Sequence, residues 1–174
     1  MSILLLGFAG VGAASTAATN PAGSSKQTLS LTEQVRFKLI TLDYLSVFDN
    51  VGFTLEGTDT VVLTGSVTRP TLKPDAEAAV RMVPGIAEVV NNIEVLPLSP
   101  TDDAIRMRAY RAIYSREGFE KYAFRALLPI RIIVKNGNLT LEGMVGSRLD
   151  KTLAETAARS VPGAFSVTDN LRIG

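Results

Sequence analysis

Residues 130–163 read IRIIVKNGNLTLEGMVGSRLDKTLAETAARSVPG, and most of this stretch is similar in sequence to an earlier segment of the chain. Residues 63–95 align with residues 141–173 over 33 positions without a gap, and 13 of the aligned pairs are identical. Internal similarity at a fixed spacing indicates a duplicated structural unit. The chain therefore contains two copies of one small unit, which we call repeat 1 and repeat 2.

Each unit contains a predicted β-hairpin. In repeat 2, apolar residues alternate with other residues on both sides of Asn136-Gly137. This is the strongest short-range hairpin signal, because a type I′ turn needs positive φ at both central positions. Repeat 1 follows the same plan around a turn at residues 57–59. Gly65 and Gly143 lie at matching places late in the second strand, where a missing side chain predicts a bulge or a close approach by another backbone.

An alanine-rich helix follows each hairpin. Apolar residues at helical spacing predict helices over residues 74–82 and 150–160. Val-Pro-Gly follows both helices and ends at Gly85 and Gly163. The motif predicts the end of each helix, because proline cannot continue a helix and glycine permits the chain to reverse.

A final strand completes each unit, with its apolar side chains expected on one face: Ala87, Val89, Ile93 and Val95 in repeat 1, and Phe165, Val167, Leu171 and Ile173 in repeat 2. Another helix is predicted before each hairpin, at residues 32–48 and 101–115, with threonine as its N-cap. The predicted fold class is α+β. It consists of two tandem α-β-β-α-β units, each a three-stranded mixed sheet with two helices on one face.

The first predicted helix of repeat 1 has two apolar stripes. One contains Val35, Leu39 and Leu42, and the other contains Phe37, Ile40, Tyr44 and Phe48. A helix with two apolar faces is usually buried on both. Units of this size are only marginally stable alone. We therefore expect repeat 2 to pack against repeat 1 and to cover the second stripe.

Composition divides the chain into 1–22, a leader; 23–30, a linker; 31–96, repeat 1; 97–100, a proline-containing spacer; and 101–174, repeat 2. The leader has an apolar run of about a dozen residues, which is typical of a secretory signal peptide and too short to span a bilayer. It lacks the usual lysine or arginine before that run. The alternatives are an uncleaved anchor or a tail that is disordered in the mature protein.

Several classes of chemistry are excluded by composition. The chain has no Cys and no His. This removes Ser-His-Asp and Cys-His catalysis, the usual zinc sites and disulfides. No phosphate-binding glycine motif lies outside the leader. We expect neither an enzyme, nor a cofactor, nor a metal site, and we interpret Asp102-Asp103 as acidic residues that stabilise a helix N-terminus.

The basic residues are concentrated in one region. Residues 104–135 contain eight basic and two acidic residues, although the net charge of the whole chain is only +1. Cations attract anionic headgroups by about 1 kcal/mol each, and aromatic rings sit at headgroup depth. The predicted lipid-binding residues are Arg106, Arg108, Tyr110, Arg111, Tyr114, Phe119, Lys121, Tyr122 and Arg125.

Two alternatives remain for this region. In the first, this region does not bind lipid: the stripe of Met107, Tyr110 and Tyr114 packs on repeat 1, and the arginines are solvated. The insertion at residues 116–128, which repeat 1 lacks, would otherwise complete a core between the repeats. Nucleic acid would use the same residue types, but the low net charge and the leader argue against it.

The motifs together resemble the BON domain, named for bacterial osmotically induced and nodulation proteins. They are LTGSV at 63–67 and LTLEGMV at 139–145, the alanine-rich helix, VPG, and the final VVNNIEV at 89–95 or SVTDNLRI at 166–173. The resemblance covers about residues 30–96 and 101–174.

The resemblance implies a non-enzymatic envelope protein, commonly periplasmic, that is linked to osmotic stress and attaches to phospholipid membranes. We expect an exported protein whose partner is an anionic phospholipid surface, with other envelope proteins as further partners. The alternative is a periplasmic protein-binding or chaperone-like module without lipid contact.

Overall fold

A computed structural model describes residues 29–125 and 128–174. The leader and most of the linker lie outside the described residues, so the signal peptide stays a prediction.

The elements follow the repeated order. Repeat 1 contains α1 (Leu31–Ile40), β1 (Asn50–Glu56), β2 (Thr60–Val67), α2 (Leu72–Arg81), β3 (Glu88–Asn91) and β4 (Glu94–Val95). Repeat 2 contains α3 (Pro100–Tyr114), α4 (Glu120–Ala123), β5 (Ile130–Lys135), β6 (Asn138–Val145), α5 (Arg148–Arg159) and β7 (Ser166–Ile173). In both sheets the hairpin is antiparallel and the later strands pair in parallel with its second strand. The predicted α+β fold with two repeated units is confirmed.

The sheet of repeat 1 has four strands because its final strand is interrupted at residues 92–93. The side chain of Asn91 accepts a hydrogen bond from the N–H of Ile93 at 3.2 Å and donates one to the carbonyl of Lys73 at 2.7 Å. In repeat 2 the matching Asp169 accepts the same kind of bond from the N–H of Leu171, at 2.9 Å, within an unbroken strand. Repeat 2 has an unbroken β7 and the three strands expected.

The first helices begin at serine, not at threonine as predicted. Ser30 forms a capping box with Glu33, and Ser99 accepts a hydrogen bond from the N–H of Asp102. Helix α1 also ends at Ile40, well before the predicted end at residue 48. The chain turns there, and Tyr44 has a φ of 64°, which a right-handed helix does not permit.

The second apolar stripe of this segment is largely exposed, contrary to prediction. Phe37, Ile40 and Tyr44 face solvent, and Phe48 alone packs on repeat 2. Because the helix ends at Ile40, the later members of the stripe do not share a face with the earlier ones.

The final strands bury only some of the side chains expected. Ile93 and Leu171 are buried, whereas Ala87, Val95, Phe165 and Ile173 are exposed. Val89 and Leu96 are also buried in repeat 1.

Two glycines permit a close approach between hairpin strands. Gly65 and Gly143 have φ of 119° and 122°. A side chain at Gly65 would collide with the carbonyl of Asn50, and one at Gly143 would collide with the carbonyl of Pro129. Only glycine fits such a position without strain.

Each repeat has its own hydrophobic core, and the loop after α1 connects them. Val47 and Phe48 pack against the core of repeat 2. The carbonyl of Val47 accepts a hydrogen bond from Ile132 N–H at 2.9 Å, and that of Ser46 accepts one from the Arg131 guanidinium at 2.8 Å. A backbone connection of this kind fixes the loop against the edge of the second sheet.

Candidate functional site

The structure divides the nine predicted lipid-binding residues into two groups. Four are buried, with at most 7% of the residue surface exposed: Arg106, Tyr114, Phe119 and Tyr122. The other five are exposed or half-buried: Arg108, Tyr110, Arg111, Lys121 and Arg125. A buried side chain cannot contact a headgroup in this conformation. For the first group the prediction is wrong.

Arg106 and Tyr114 are buried because they cover the outer edge of β5. The Tyr114 hydroxyl donates to the carbonyl of Ile130 at 2.7 Å and accepts from its N–H at 3.1 Å. Arg106 donates to the carbonyl of Val134 at 2.6 Å. These backbone groups would otherwise lack a partner at a buried edge. Burial raises the pKa of Tyr114, so its hydroxyl stays protonated and can make both bonds.

Asp102 has a larger structural role than the sequence indicated. Its carboxylate is 2% exposed and accepts hydrogen bonds from the N–H groups of Asn136 and Gly137, at 2.9 and 2.8 Å. The turn has φ of 51° and 76°, the positive values of a type I′ turn. Asp102 therefore ties the first turn of α3 to the β5–β6 hairpin.

The insertion closes the core of repeat 2 itself, not a core between the repeats. Phe119 and Tyr122 are buried with ring centroids 5.5 Å apart. The Tyr122 hydroxyl donates to the Asp150 carboxylate at 2.8 Å and accepts from the N–H of Gly146 at 2.7 Å. Helix α4 thereby fixes the start of α5.

Lys121 and Asp150 form an ion pair beside this contact, with Nζ and Oδ2 2.8 Å apart. The hydrogen bond from Lys121, together with those from Ser147 and Tyr122, holds the pKa of Asp150 below its ordinary value. The same pair raises the pKa of Lys121. Both groups therefore stay charged at neutral pH.

The exposed cations and apolar side chains come together where α4, the end of β6, the start of α5 and the end of β7 meet. Lys121, Arg125 and Met144 line a shallow cavity of about 370 Å³, and Arg148 and Ile173 line another of about 270 Å³. We call this surface the basic end. It consists of Lys121, Phe124, Arg125, Met144, Arg148, Leu149, Arg172 and Ile173.

The basic end combines exposed apolar groups with three arginines that form no ion pair within the described residues. Phe124 is 89% exposed, and Met144, Leu149 and Ile173 are each more than half exposed. Among the described residues, no ion pair involves Arg125, Arg148 or Arg172. The arrangement suits a partner that is both anionic and apolar.

The exposed side of α3 is a weaker version of this surface. Arg108 and Arg111 lie beside Met107, and Arg108 donates to the carbonyl of Pro162 at 3.1 Å. Tyr110 is half-buried and contacts the ring of Tyr114, at a centroid distance of 5.2 Å.

Within residues 29–125 and 128–174, no cluster of three or more acidic side chains has the geometry of a metal site. No helix of that part of the chain has the length and apolar character needed to cross a membrane.

The profile of the BON domain matches residues 29–97 and 116–174. The chain belongs to the BON domain family. The two matched regions correspond to repeat 1 and to the part of repeat 2 that follows α3. BON domains are non-catalytic binding modules, and proteins that carry them are typically exported or associated with the cell envelope.

Two solved structures resemble this BON protein in outline. The first is the C-terminal domain of CdsD, described as the structural protein of the type III secretion system of Chlamydia trachomatis. It has 14% sequence identity and a TM-score of 0.34, and the match covers 83% of this chain and 65% of that chain. The second, also of CdsD, has 11% identity and a TM-score of 0.31 over 84% of this chain and 94% of that chain. This BON protein thus spans 65% of the first structure. No curated protein matches its sequence.

Proposed function

We propose that this protein is a non-enzymatic periplasmic BON protein that attaches to anionic phospholipid through the basic end of repeat 2. Its role would be envelope maintenance or protection during osmotic stress. The observation that carries the proposal is the exposure of Phe124, Leu149 and Met144 beside arginines that form no ion pair within the described part of the chain.

The physical basis is the sum of two weak attractions. Each cation near an anionic surface contributes about 1 kcal/mol, and burial of an apolar side chain in the interface adds about 25 cal/mol per Å² of covered surface. Neither gives stable attachment alone, whereas three or four cations with an exposed ring give reversible binding that depends on both lipid charge and salt.

The basic end fits this role better than the exposed side of α3. The α3 side offers Arg108 and Arg111 with one exposed methionine, and Arg108 already donates to a backbone carbonyl. The basic end offers a nearly fully exposed aromatic ring flanked by cations.

Vesicle sedimentation with two matched double variants tests the proposal. Arg125→Gln/Arg148→Gln removes two cations from the basic end, and Arg108→Gln/Arg111→Gln removes two from α3. We expect the first pair to weaken binding to vesicles of neutral and anionic phospholipid about thirtyfold, since each cation contributes about 1 kcal/mol. The second pair should change binding less than about threefold, because its side chains lie outside the contact.

Equal losses in the two variants would contradict the assignment of the surface. If the unmodified protein does not sediment with anionic vesicles at low salt, the lipid proposal is wrong and a protein partner is favoured.

A further inference from the structure

The outer edge of β1 is open, although the matching edge of repeat 2 is covered. On β5, three residues have backbone groups that point away from β6, and each of them is bonded. Ile130 bonds with the Tyr114 hydroxyl. Ile132 bonds with the carbonyl of Val47, and Val134 bonds with the Arg106 guanidinium. Helix α1 is shorter than α3, and its Arg36, which lies beside β1, forms no hydrogen bond to this edge within the described residues.

The strand registers identify which groups of β1 point outward. Val51, Phe53 and Leu55 lie opposite Gly65, Leu63 and Val61. They match Ile130, Ile132 and Val134, which lie opposite Gly143, Leu141 and Leu139. In the parts of the chain that the structure describes, the edge groups of Val51, Phe53 and Leu55 form no hydrogen bond outside the hairpin. An unpaired edge of this kind is a template for another strand.

A basic groove runs along this open edge. Arg36 and Ile40 of α1 line a cavity of about 300 Å³ together with Val51 and Phe53. Arg36, Ile40 and Phe53 also line a cleft of about 700 Å³ between β1 and repeat 2. Its walls carry four charged and several apolar side chains: Arg36, Arg131, Glu142, Arg172, Ile40, Phe53 and Met144. Three arginines against the single Glu142 leave the cleft positive.

We propose that the β1 edge binds an extended segment of a partner protein with alternating acidic and apolar residues, which adds to the sheet as a further strand. The main-chain groups of Val51, Phe53 and Leu55 supply the hydrogen bonds, and the groove walls select the side chains. Arg36 and Arg172 pair with the acidic residues. This protein-binding site shares Met144 and Arg172 with the basic end, but its main-chain hydrogen bonds to β1 do not depend on lipid attachment.

Charge complementarity favours this occupant over two others. Residues 1–28 contain no Asp or Glu, so the chain's own leader lacks the groups that the arginines would pair with. A second copy, joined edge to edge, would bring like-charged grooves together, and β1 offers Glu56 as its only acidic residue. Like charges placed together across an interface are unfavourable.

The first test uses the full chain and two labelled heptapeptides, one alternating Glu and Val and the other alternating Lys and Val. Fluorescence anisotropy should show saturable binding of the glutamate peptide alone. Arg36→Glu/Arg172→Glu should weaken that binding about tenfold, as expected for two reversed rim charges, and should strengthen binding of the lysine peptide. The control Arg108→Glu/Arg111→Glu, which reverses two exposed charges on α3 outside the groove, should leave both affinities within about twofold.

The second test locates the peptide by amide hydrogen exchange. The glutamate peptide should slow exchange at Val51, Phe53 and Leu55, and N-methylation of alternate peptide residues should remove the effect. Equal affinity for both peptides, no saturable binding, or binding without protection of these amides would overturn the proposal. So would slow exchange at all three amides before any peptide is added, because the edge would then be occupied by the leader or a second copy.

Discussion

At the scale of single residues, two side chains of types that are common in binding sites have structural roles instead. Tyr114 and Arg106 bond to the outer edge of β5. Arginine and tyrosine serve here as hydrogen-bond donors to backbone carbonyls, a use that their frequency at interfaces does not predict.

Tyr114→Phe is therefore expected to destabilise the protein by about 1–3 kcal/mol, because both backbone groups of Ile130 lose their partner at a buried edge. Urea denaturation measures the change. Tyr110→Phe is the matched control, since its half-buried hydroxyl forms no hydrogen bond within the described residues, and it should change the free energy of unfolding by less than about 0.5 kcal/mol. Equal effects of the two variants would contradict the role given to Tyr114.

The Lys121–Asp150 ion pair gives a pH dependence whose sign follows from the lowered pKa of Asp150. In the unfolded chain this carboxyl has its ordinary value of 3.8. Its contribution to stability is complete above that value and is lost as the pH falls through the lower pKa of the folded protein. Asp150→Asn should thus be less stable than the unmodified protein at neutral pH, and the difference should shrink below about pH 4. Thermal unfolding over a pH series measures it, and a difference that grows on acidification would refute this reading.

At the scale of the elements, the hairpins depend on a glycine in the second strand. Gly143→Ala is expected to lower the free energy of unfolding by about 2–4 kcal/mol, because the position has positive φ and the new side chain would collide with the Pro129 carbonyl. Gly52→Ala is the control. Its added atom would meet only ordinary van der Waals contacts, 3.6 Å from the Thr64 hydroxyl oxygen, and should change stability by less than about 1 kcal/mol. Circular dichroism melts compare them.

The elements also show what local sequence signals can and cannot predict. The Asn136-Gly137 turn is predictable because its signal lies within the turn itself. The burial of Arg106 is not, because it depends on Val134, which is 28 positions away in the sequence. The burial of Phe119 and Tyr122, in contrast, could have been predicted from their spacing. They are three residues apart, so one helical turn places both rings on the same side, as expected for a core contact.

At the scale of the whole molecule, the loop after α1 connects two separate cores. Phe48 belongs to repeat 1 in sequence but packs on the core of repeat 2, with its ring centroid 6.4 Å from that of Tyr110. The stability of repeat 2 should therefore depend on a side chain outside it.

Phe48→Ala should accelerate amide exchange throughout β5, β6 and β7. The free energy of unfolding of repeat 2 should fall by about 1–3 kcal/mol, because a half-buried ring is removed from its core. Phe37→Ala removes an exposed ring and should leave these rates unchanged within about 0.5 kcal/mol. If Phe48→Ala affects only the amides of repeat 1, the connection between the cores is not as described.

The proposed orientation on a membrane can be measured directly, because the chain contains no Trp. Phe124→Trp places a single fluorophore at the basic end, and Phe165→Trp places one beside the β5–β6 turn, where the ring is 84% exposed. The two sites lie at opposite ends of β6, a distance of about 25 Å. With anionic vesicles, the Trp at position 124 should shift to shorter emission wavelengths and be quenched by brominated acyl chains, while the Trp at position 165 should do neither. A shift at 165 without one at 124 would contradict attachment through the basic end.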